Sequence, residues 1–323
     1  MHGGIEVICG THSPEDLELA PDGKHLLVSQ FVNNRGVAGP GAGLSLFDPV
    51  AKTFTKLTAT AEPLKDWGDA ACPGPIGEAL APHGTSLRKR ANGVVQLFVV
   101  NHGGRESIEM FEVKGTGTKT NLVWHGCVVS PQAYNDVAAL PDGGFIATHP
   151  TALQTPGMNL FDGAPSGYLS RWSSDKGEAE LPGTRRGYPN GVIVSADGHY
   201  AYMNAWTVRE VHKYDLRENK AVAVLKLDFM PDNLTWTNRG RMLAAGIKSP
   251  RGLCPPDTGT PCIQTSEVVE IDPMTMTARP VFDSTNYAGP SPIGGTSVAL
   301  ELGKFIYLGS FQGERIVRIA YPK

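Results

Sequence analysis

The stretch from Tyr134 to Gly143, YNDVAALPDG, decides the fold because its design recurs along the chain. It opens on an amide and an acid, continues with strand-forming residues, and closes on an Asp-Gly pair that suits a tight hairpin. Four other stretches share this plan: EDLELAPDG from Glu15 to Gly23, PHGTSLRKRANG from Pro82 to Gly93, PNGVIVSADG from Pro189 to Gly198, and PDNLTWTNRG from Pro231 to Gly240. We call the polar residues that open each repeat its head.

The heads keep a constant distance from their turns. Seven residues separate Glu15 from Asp22, and the same spacing separates Asn135 from Asp142. Equivalent strands would therefore bring the heads to one level, so that residues far apart in the sequence form a single site.

Repeats of this kind predict an all-β fold. Units of about 40 to 60 residues, each with about four antiparallel strands, are typical of a β-propeller. A sixth unit opens at Gly294-Gly295-Thr296-Ser297. The six heads, near residues 15, 83, 135, 190, 232 and 295, predict six blades. The last unit supplies three strands, and the strand Ile5 to Ile8 is left to complete the ring. We therefore predict that residues 1–323 form one six-bladed propeller domain, closed by this N-terminal strand, with a metal site in the central tunnel.

Composition agrees with this class and argues against several partners. The 38 glycines and 25 prolines make up about a fifth of the 323 residues, against roughly an eighth on average. The net charge is only −3 and the basic residues are dispersed, so we expect no nucleic-acid partner.

No apolar run approaches the roughly 18 residues of a membrane helix, and we expect no membrane partner. The start of the chain shows no signal peptide, which leaves a periplasmic or secreted location open if a signal has been removed. Oligomeric state is not indicated.

The five cysteines form neither a CxxC pair nor a zinc spacing. Cys254 and Cys262 bracket a Pro/Gly loop that could close as a local disulfide in an oxidising compartment, and reduced thiols are the alternative. The long connection 59–81 is interpreted as a loop over the site.

The heads offer oxygen ligands of the kind that calcium prefers. As an alternative, each such side chain could simply cap its own turn. Asp16 and Asp136 follow head residues and should point the opposite way along the strand, where a deeper structural calcium could use them with a backbone carbonyl near Thr85. We call a calcium ion held by the heads themselves the first ion. Its candidate ligands are Glu15, Asn135, Asn190, Asp232 and Asn233.

Two histidines lie where a catalytic base could stand. His83 opens the second repeat, and His102 follows the next strand in VVNHGG. Such a pair could take a proton from water near neutral pH, although each ring could instead be a packing residue. His149 is expected in a loop at the mouth of the site. No GxSxG, HExxH or GxxxxGK[ST] motif supports a serine hydrolase, zincin or P-loop protein.

The ordered set EDLEL, PHGTS, VVNHGG, YNDVA, PNGVIVSADGHYAY, PDN and GGTSVA resembles the serum paraoxonase (arylesterase/lactonase) family. More distantly it is similar to the gluconolactonase and regucalcin group. The resemblance implies a six-bladed propeller with two calcium ions in its tunnel. The catalytic ion would take the five head ligands named above, the structural ion would take Asp16, Asp136 and the backbone of Thr85, and His83 and His102 would be the family's His dyad.

Two departures limit what the resemblance implies. QTPGMNLFDGAPSG replaces the amphipathic segments with which the family binds lipoproteins, so membrane or lipoprotein binding is not carried over. Cys9 also has no cysteine near Lys323 to form the family's terminal disulfide.

We therefore expect a calcium-dependent hydrolase of small lactones or aryl esters. Calcium would polarise the carbonyl group, and His83 or a metal-bound carboxylate would activate water. The alternatives are a non-catalytic propeller that binds a ligand or partner and is stabilised by calcium, and a metal-dependent isomerase or lyase on the same scaffold.

Overall fold

The computed structural model describes residues 4–31, 41–248, 264–286 and 291–322. Their regular structure consists of β-strands and five single-turn 3₁₀ helices. None of the described helices is long and apolar enough to span a membrane. The helices are Gly77–Ala79, Gly117–Lys119, Leu160–Asp162, Trp206–Val208 and Ser284–Asn286.

The described strands form six sheets, which we call blades 1 to 6. The last blade also takes the first strand of the chain, β1 (Ile5–Cys9). Blade 1 contains β2 (Pro14–Leu19), β3 (Leu26–Gln30), β4 (Gly43–Asp48) and β5 (Thr53–Lys56). Blade 2 contains β6 (Ala59–Ala61), β7 (Pro82–Lys89), β8 (Val95–Asn101), β9 (Ser107–Lys114) and β10 (Asn121–Val129). Blade 3 contains β11 (Val137–Ala139), β12 (Phe145–His149), β13 (Tyr168–Ser173) and β14 (Gly177–Glu180).

The other three blades repeat the four-stranded plan. Blade 4 contains β15 (Pro189–Val194), β16 (Tyr200–Ala205), β17 (Glu210–Asp215) and β18 (Lys220–Lys226). Blade 5 contains β19 (Met230–Trp236), β20 (Met242–Ile247), β21 (Ser266–Asp272) and β22 (Thr277–Asp283). Blade 6 contains β23 (Thr296–Leu302), β24 (Phe305–Ser310), β25 (Arg315–Ala320) and β1.

The innermost strands β2, β7, β11, β15, β19 and β23 each contact the next, and β23 contacts β2. The six sheets therefore form a ring, and the predicted six-bladed all-β propeller is confirmed. β1 pairs antiparallel with β25, from Ile5 opposite Ile319 to Cys9 opposite Arg315. This pairing gives blade 6 its fourth strand.

The hydrophobic core lies between neighbouring blades. Each of six buried apolar clusters joins the facing sheets of one pair of adjacent blades, as Phe98 of β8 and Phe145 of β12 do between blades 2 and 3. The middle strands are therefore buried on both faces, whereas the outer strand β18 is largely exposed. This arrangement explains the apolar run from Leu97 to Val100 in β8.

The repeat turns have the predicted backbone geometry. Gly143 closes the turn after β11 with φ +91°, and the equivalent glycines of the other four repeats also have positive φ. An L-residue would be strained in this region.

The connection 59–81 is more ordered than a simple loop over the site. Ala59–Ala61 form β6, which lies parallel to the outer strand β10 as a fifth strand of blade 2. Cys72 then forms a disulfide with Cys127 of β10, a pairing that the sequence analysis missed. Cys9 is free and exposed, and Cys254 and Cys262, for which the sequence left a disulfide or reduced thiols open, lie outside the described residues.

Candidate active site

The heads coincide with irregularities of the innermost strands. In blades 1, 2, 4, 5 and 6 the register of the innermost strand shifts at the head, for example between Pro14 and Asp16 and between Pro189 and Val192. Such β-bulges re-aim side chains and occur often at the rims of barrels and next to active sites. They allow consecutive head residues to turn towards the tunnel axis.

Close packing of the innermost strands also depends on a glycine beside a head. A Cβ atom on Gly191 would lie 2.4 Å from the Asp232 carbonyl oxygen and 2.6 Å from the Asn233 Cα. A Cβ atom this close to the backbone atoms of β19 would clash with them. Gly191 therefore lets β15 approach β19 closely enough to bring their heads together.

The five predicted ligands of the first ion are all buried. Glu15 lies on β2, Asn135 directly precedes β11, Asn190 lies on β15, and Asp232 and Asn233 lie on β19. Four buried oxygen atoms of this set have no hydrogen-bond partner in the described structure. They are Glu15 Oε2, Asn135 Oδ1, Asn190 Oδ1 and Asn233 Oδ1.

Specific contacts bring several of these residues together. The Asn233 Nδ2 amide donates to Glu15 Oε1 over 2.8 Å, which leaves Glu15 Oε2 and Asn233 Oδ1 free to accept. Burial raises the pKa of Asp232 well above its ordinary value, the Glu15 carboxylate raises it further, and a hydrogen bond with the Asn190 side chain opposes both effects. Asn204 holds the Asp232 backbone, since its Nδ2 donates to the carbonyl oxygen over 2.6 Å.

Unpaired buried oxygens are costly, at about 1–3 kcal/mol for each group. Two carboxylates and three amide oxygens form the ligand type that a hard divalent cation takes, and a bound cation would satisfy the unpaired atoms. Within the described ranges, no group of three or more His, Cys, Asp or Glu side chains is placed to hold a metal ion. A cation at this level would therefore depend on the amides of Asn135, Asn190 and Asn233.

Asp16 and Asp136 form the deeper layer. Asp16 Oδ2 accepts hydrogen bonds from the Thr85 backbone N–H and hydroxyl, both over 2.7 Å. Asp136 Oδ1 and Oδ2 accept from the backbone N–H groups of Val137 and Val192, each over 2.7 Å. Each carboxylate thus joins its own blade to the next one. Thr85, the third predicted ligand, contacts Asp16 through its N–H and hydroxyl groups.

The electrostatics of this layer also favour a cation. Burial, followed by the Glu15 charge, raises the pKa of Asp16 to about 7. Burial, followed by the charge of Asp16, raises the pKa of Asp136 well above its ordinary value. Both carboxylates line a cavity of about 230 Å³ that continues along the tunnel towards Glu18 and Trp236.

The two predicted catalytic histidines are in direct contact. His83 lies on β7, His102 follows β8, and His83 Nδ1 is 2.8 Å from His102 Nε2. His83 Nε2 lies 3.6 Å from Glu15 Oε1, so the pair adjoins the predicted ligand set. The end of the connection 59–81 supports this arrangement, because the His102 backbone N–H donates to the Ala81 carbonyl oxygen over 3.0 Å.

The structure adds three residues that sequence reasoning missed. Glu106 contacts His102 Nδ1 at 2.8 and 3.0 Å, and an acid four residues after His102 was the available signal. The Phe31 ring stacks on His83 with centroids 4.4 Å apart. Tyr188 directly precedes the Pro-Asn head of blade 4, and burial and then Asp232 raise its pKa.

The expectation for His149 was wrong. It ends strand β12 and is buried, with Nε2 3.0 Å from Ser170 Oγ and 3.1 Å from Glu178 Oε1. Tyr134 also donates to this glutamate, over 2.6 Å. His149 therefore belongs to a polar cluster inside blade 3 and does not lie in a loop at the mouth.

Comparisons with known proteins agree with this architecture. Serum paraoxonase/arylesterase 1 of Mus musculus is 27% identical over 164 residues, which are 48% of this chain and 45% of the relative. Serum paraoxonase/arylesterase 2 of Bos taurus is 25% identical over 242 residues, which are 71% of this chain and 66% of the relative. The matches thus cover less than two thirds of the length of these relatives.

A solved structure and a family model complete the comparison. A gluconolactonase of Xanthomonas campestris superposes with a TM-score of 0.57 at 15% identity, over 98% of this chain and 89% of the other, which shows a shared fold. The family model described as Arylesterase matches residues 72–314, about three quarters of the sequence. The chain therefore belongs to the arylesterase family.

Proposed function

We propose that this protein is a calcium-dependent hydrolase of small lactones or aryl esters. The observation that carries the proposal is the group of four unpaired, buried oxygen atoms at the heads, beside the His83–His102 pair. Membership of the arylesterase family and the names of the relatives support ester or lactone hydrolysis as the reaction class.

The proposal includes two calcium ions. Glu15, Asn135, Asn190, Asp232 and Asn233 would hold the first, because they combine charge with oxygen atoms that lack partners. Asp16 and Asp136, with the backbone of Thr85, would hold the second. Calcium at the first site would supply Lewis acidity to a substrate carbonyl and stabilise the negative charge that develops on its oxygen.

His83 is the proposed general base. Its Nε2 lies 3.6 Å from Glu15 Oε1, so this nitrogen, when unprotonated, would adjoin the space where the substrate carbonyl would be held. This nitrogen would take a proton from the attacking water while His102 holds the ring through Nδ1. Phe31 covers one face of the His83 ring and restricts its rotation.

The test is hydrolysis of phenyl acetate and of a γ- or δ-lactone in calcium, in EDTA, and after calcium is restored. We expect activity that EDTA removes and calcium restores, and we expect Asn190→Ala to abolish it. Asn121, an exposed amide on β10, gives the matched control, and Asn121→Ala should remain active. Calcium-dependent melting without any turnover would favour a binding propeller, and an isomerised or eliminated product would favour an isomerase or lyase.

A further inference from the structure

We propose that Glu106 is a positioning residue that sets which ring nitrogens of His83 and His102 carry protons. This inference rests on the proposed function of the same site. Its basis is a continuous chain of contacts from the buried head of blade 1 to the protein surface.

Four side chains form this series of contacts, in a fixed order. Glu15 Oε1 is 3.6 Å from His83 Nε2, His83 Nδ1 is 2.8 Å from His102 Nε2, and His102 Nδ1 is 2.8 Å from Glu106 Oε2. Side-chain exposure rises from 1% for Glu15 to 14% and 11% for the two histidines and 32% for Glu106. Two imidazole rings therefore connect a buried carboxylate with one that reaches solvent.

Hydrogen-bond chemistry makes the protonation of the two rings interdependent. An ionised carboxylate only accepts, so a hydrogen bond to Glu106 requires a proton on His102 Nδ1. In the neutral ring His102 Nε2 then accepts from His83 Nδ1–H, and His83 Nε2 is left unprotonated. This is the form in which His83 can act as a base.

Glu15 competes for the opposite arrangement. If its carboxylate accepted a hydrogen bond from a protonated His83 Nε2, both rings would adopt the opposite tautomer, and His83 Nε2 could no longer act as a base. Glu106 has the shorter contacts, 2.8 and 3.0 Å against 3.6 Å for Glu15. The distances therefore favour the arrangement that Glu106 imposes.

The loop that carries Glu106 is held by other contacts. The Glu106 carbonyl oxygen accepts from the Ser130 N–H over 3.1 Å, which does not involve its side chain. Arg105 binds Glu109 over 2.8 Å and the Gly74 carbonyl oxygen over 2.7 Å. Both described hydrogen bonds of the Glu106 carboxylate go to His102. Replacing this side chain should therefore change the histidine pair and leave the fold intact.

Kinetic measurements on Glu106→Gln and Glu106→Asp test the proposal. Glutamine has the same shape, but it is a weaker, neutral acceptor and can also donate, so it permits both arrangements. We expect kcat for the lactone to fall about 10- to 100-fold, as is usual when an orienting partner is lost, with KM nearly unchanged. Aspartate keeps the charge and should retain more activity than glutamine. The aspartate variant also keeps the test decisive if the glutamine variant fails to fold.

The matched control is Glu210→Gln in blade 4. Glu210 also bonds a histidine, with its Oε2 2.9 Å from His212 Nε2, but it lies on β17, away from the innermost strands. Its replacement should leave kcat unchanged. Equal kcat in wild type and Glu106→Gln, with wild type active, would overturn the proposal.

A second readout does not need activity. Nitrogen-15 NMR of the histidine rings, assigned with His102→Gln, should show His102 protonated at Nδ1 in wild type and a mixture of tautomers in Glu106→Gln. A wild-type His102 protonated only at Nε2 would refute the inference even if the enzyme is active. Absence of any ester or lactone hydrolysis would instead count against the proposed function, while the NMR result would still decide the hydrogen-bond arrangement.

Discussion

The calcium-free protein should lose stability as pH rises towards neutrality, and Asp16→Asn should remove the part of this loss that Asp16 contributes. Asp16 is buried, and its carboxylate accepts hydrogen bonds from Thr85 and from the Leu17 N–H. Burial and then the Glu15 charge raise its pKa from an ordinary 3.8 to about 7. The folded protein therefore resists ionisation of Asp16 when no cation is bound.

The size of the effect follows from this pKa. Between about pH 4 and pH 7 the unfolded chain has released the Asp16 proton while the folded protein still binds it. The contribution of Asp16 to the free energy of unfolding then falls as pH rises, by about 1.4 kcal/mol per pH unit and by about 4 kcal/mol across the window. Calcium opposes this loss, because an ion that binds only the folded state adds about 2.7 kcal/mol at a hundredfold excess over its Kd.

The assay is urea unfolding in EDTA at several pH values from 5 to 8, repeated with excess calcium. Wild type should become less stable with pH in EDTA, and Asp16→Asn should show a flatter dependence and a smaller gain from calcium. Asp142→Asn is the control, because the Asp142 carboxylate is half exposed at a repeat turn. Identical pH dependence of wild type and Asp16→Asn in EDTA would refute the reasoning.

Three further predictions follow from the site and the fold. Asn190→Ala and Asp232→Ala should abolish calcium-dependent hydrolysis without lowering the melting temperature in EDTA, and a large drop there would mean that these side chains chiefly hold the fold. His83→Gln should reduce lactone hydrolysis by roughly 10²- to 10⁴-fold and that of an activated aryl ester by less, whereas an unchanged lactone rate would assign the base to Glu15 or Asp232. Cys72→Ser opens the disulfide to Cys127 across 55 residues and should cost about 4 kcal/mol of unfolding free energy, and calorimetry showing an unchanged melting temperature would contradict that estimate.

The sequence by itself determined the blade plan and the residues that face one another at the heads. The Asp142-Gly143 turn and its equivalents, together with strand alternation, are encoded by side chains only a few positions apart. Because the heads stay in phase with these turns, local information was enough to place Glu15 and Asn233 together, although 218 residues separate them. The contact between His83 and His102 was predicted in the same way, from two strands of one hairpin.

The tertiary structure alone decided the features that depend on how blades and connections pack. Cys72 meets Cys127 because β6 lies along β10 and carries the following loop with it. His149 is buried because Ser170 and Glu178, on the next strands of blade 3, hold its ring. Glu106 reaches His102 because the turn after β8 folds back, and hydrogen bonds from Asn101 to this turn hold it in place. Periodicity fixes which face of a strand a residue occupies, whereas these contacts depend on the path of loops and on strand neighbours, which only the packed ring defines.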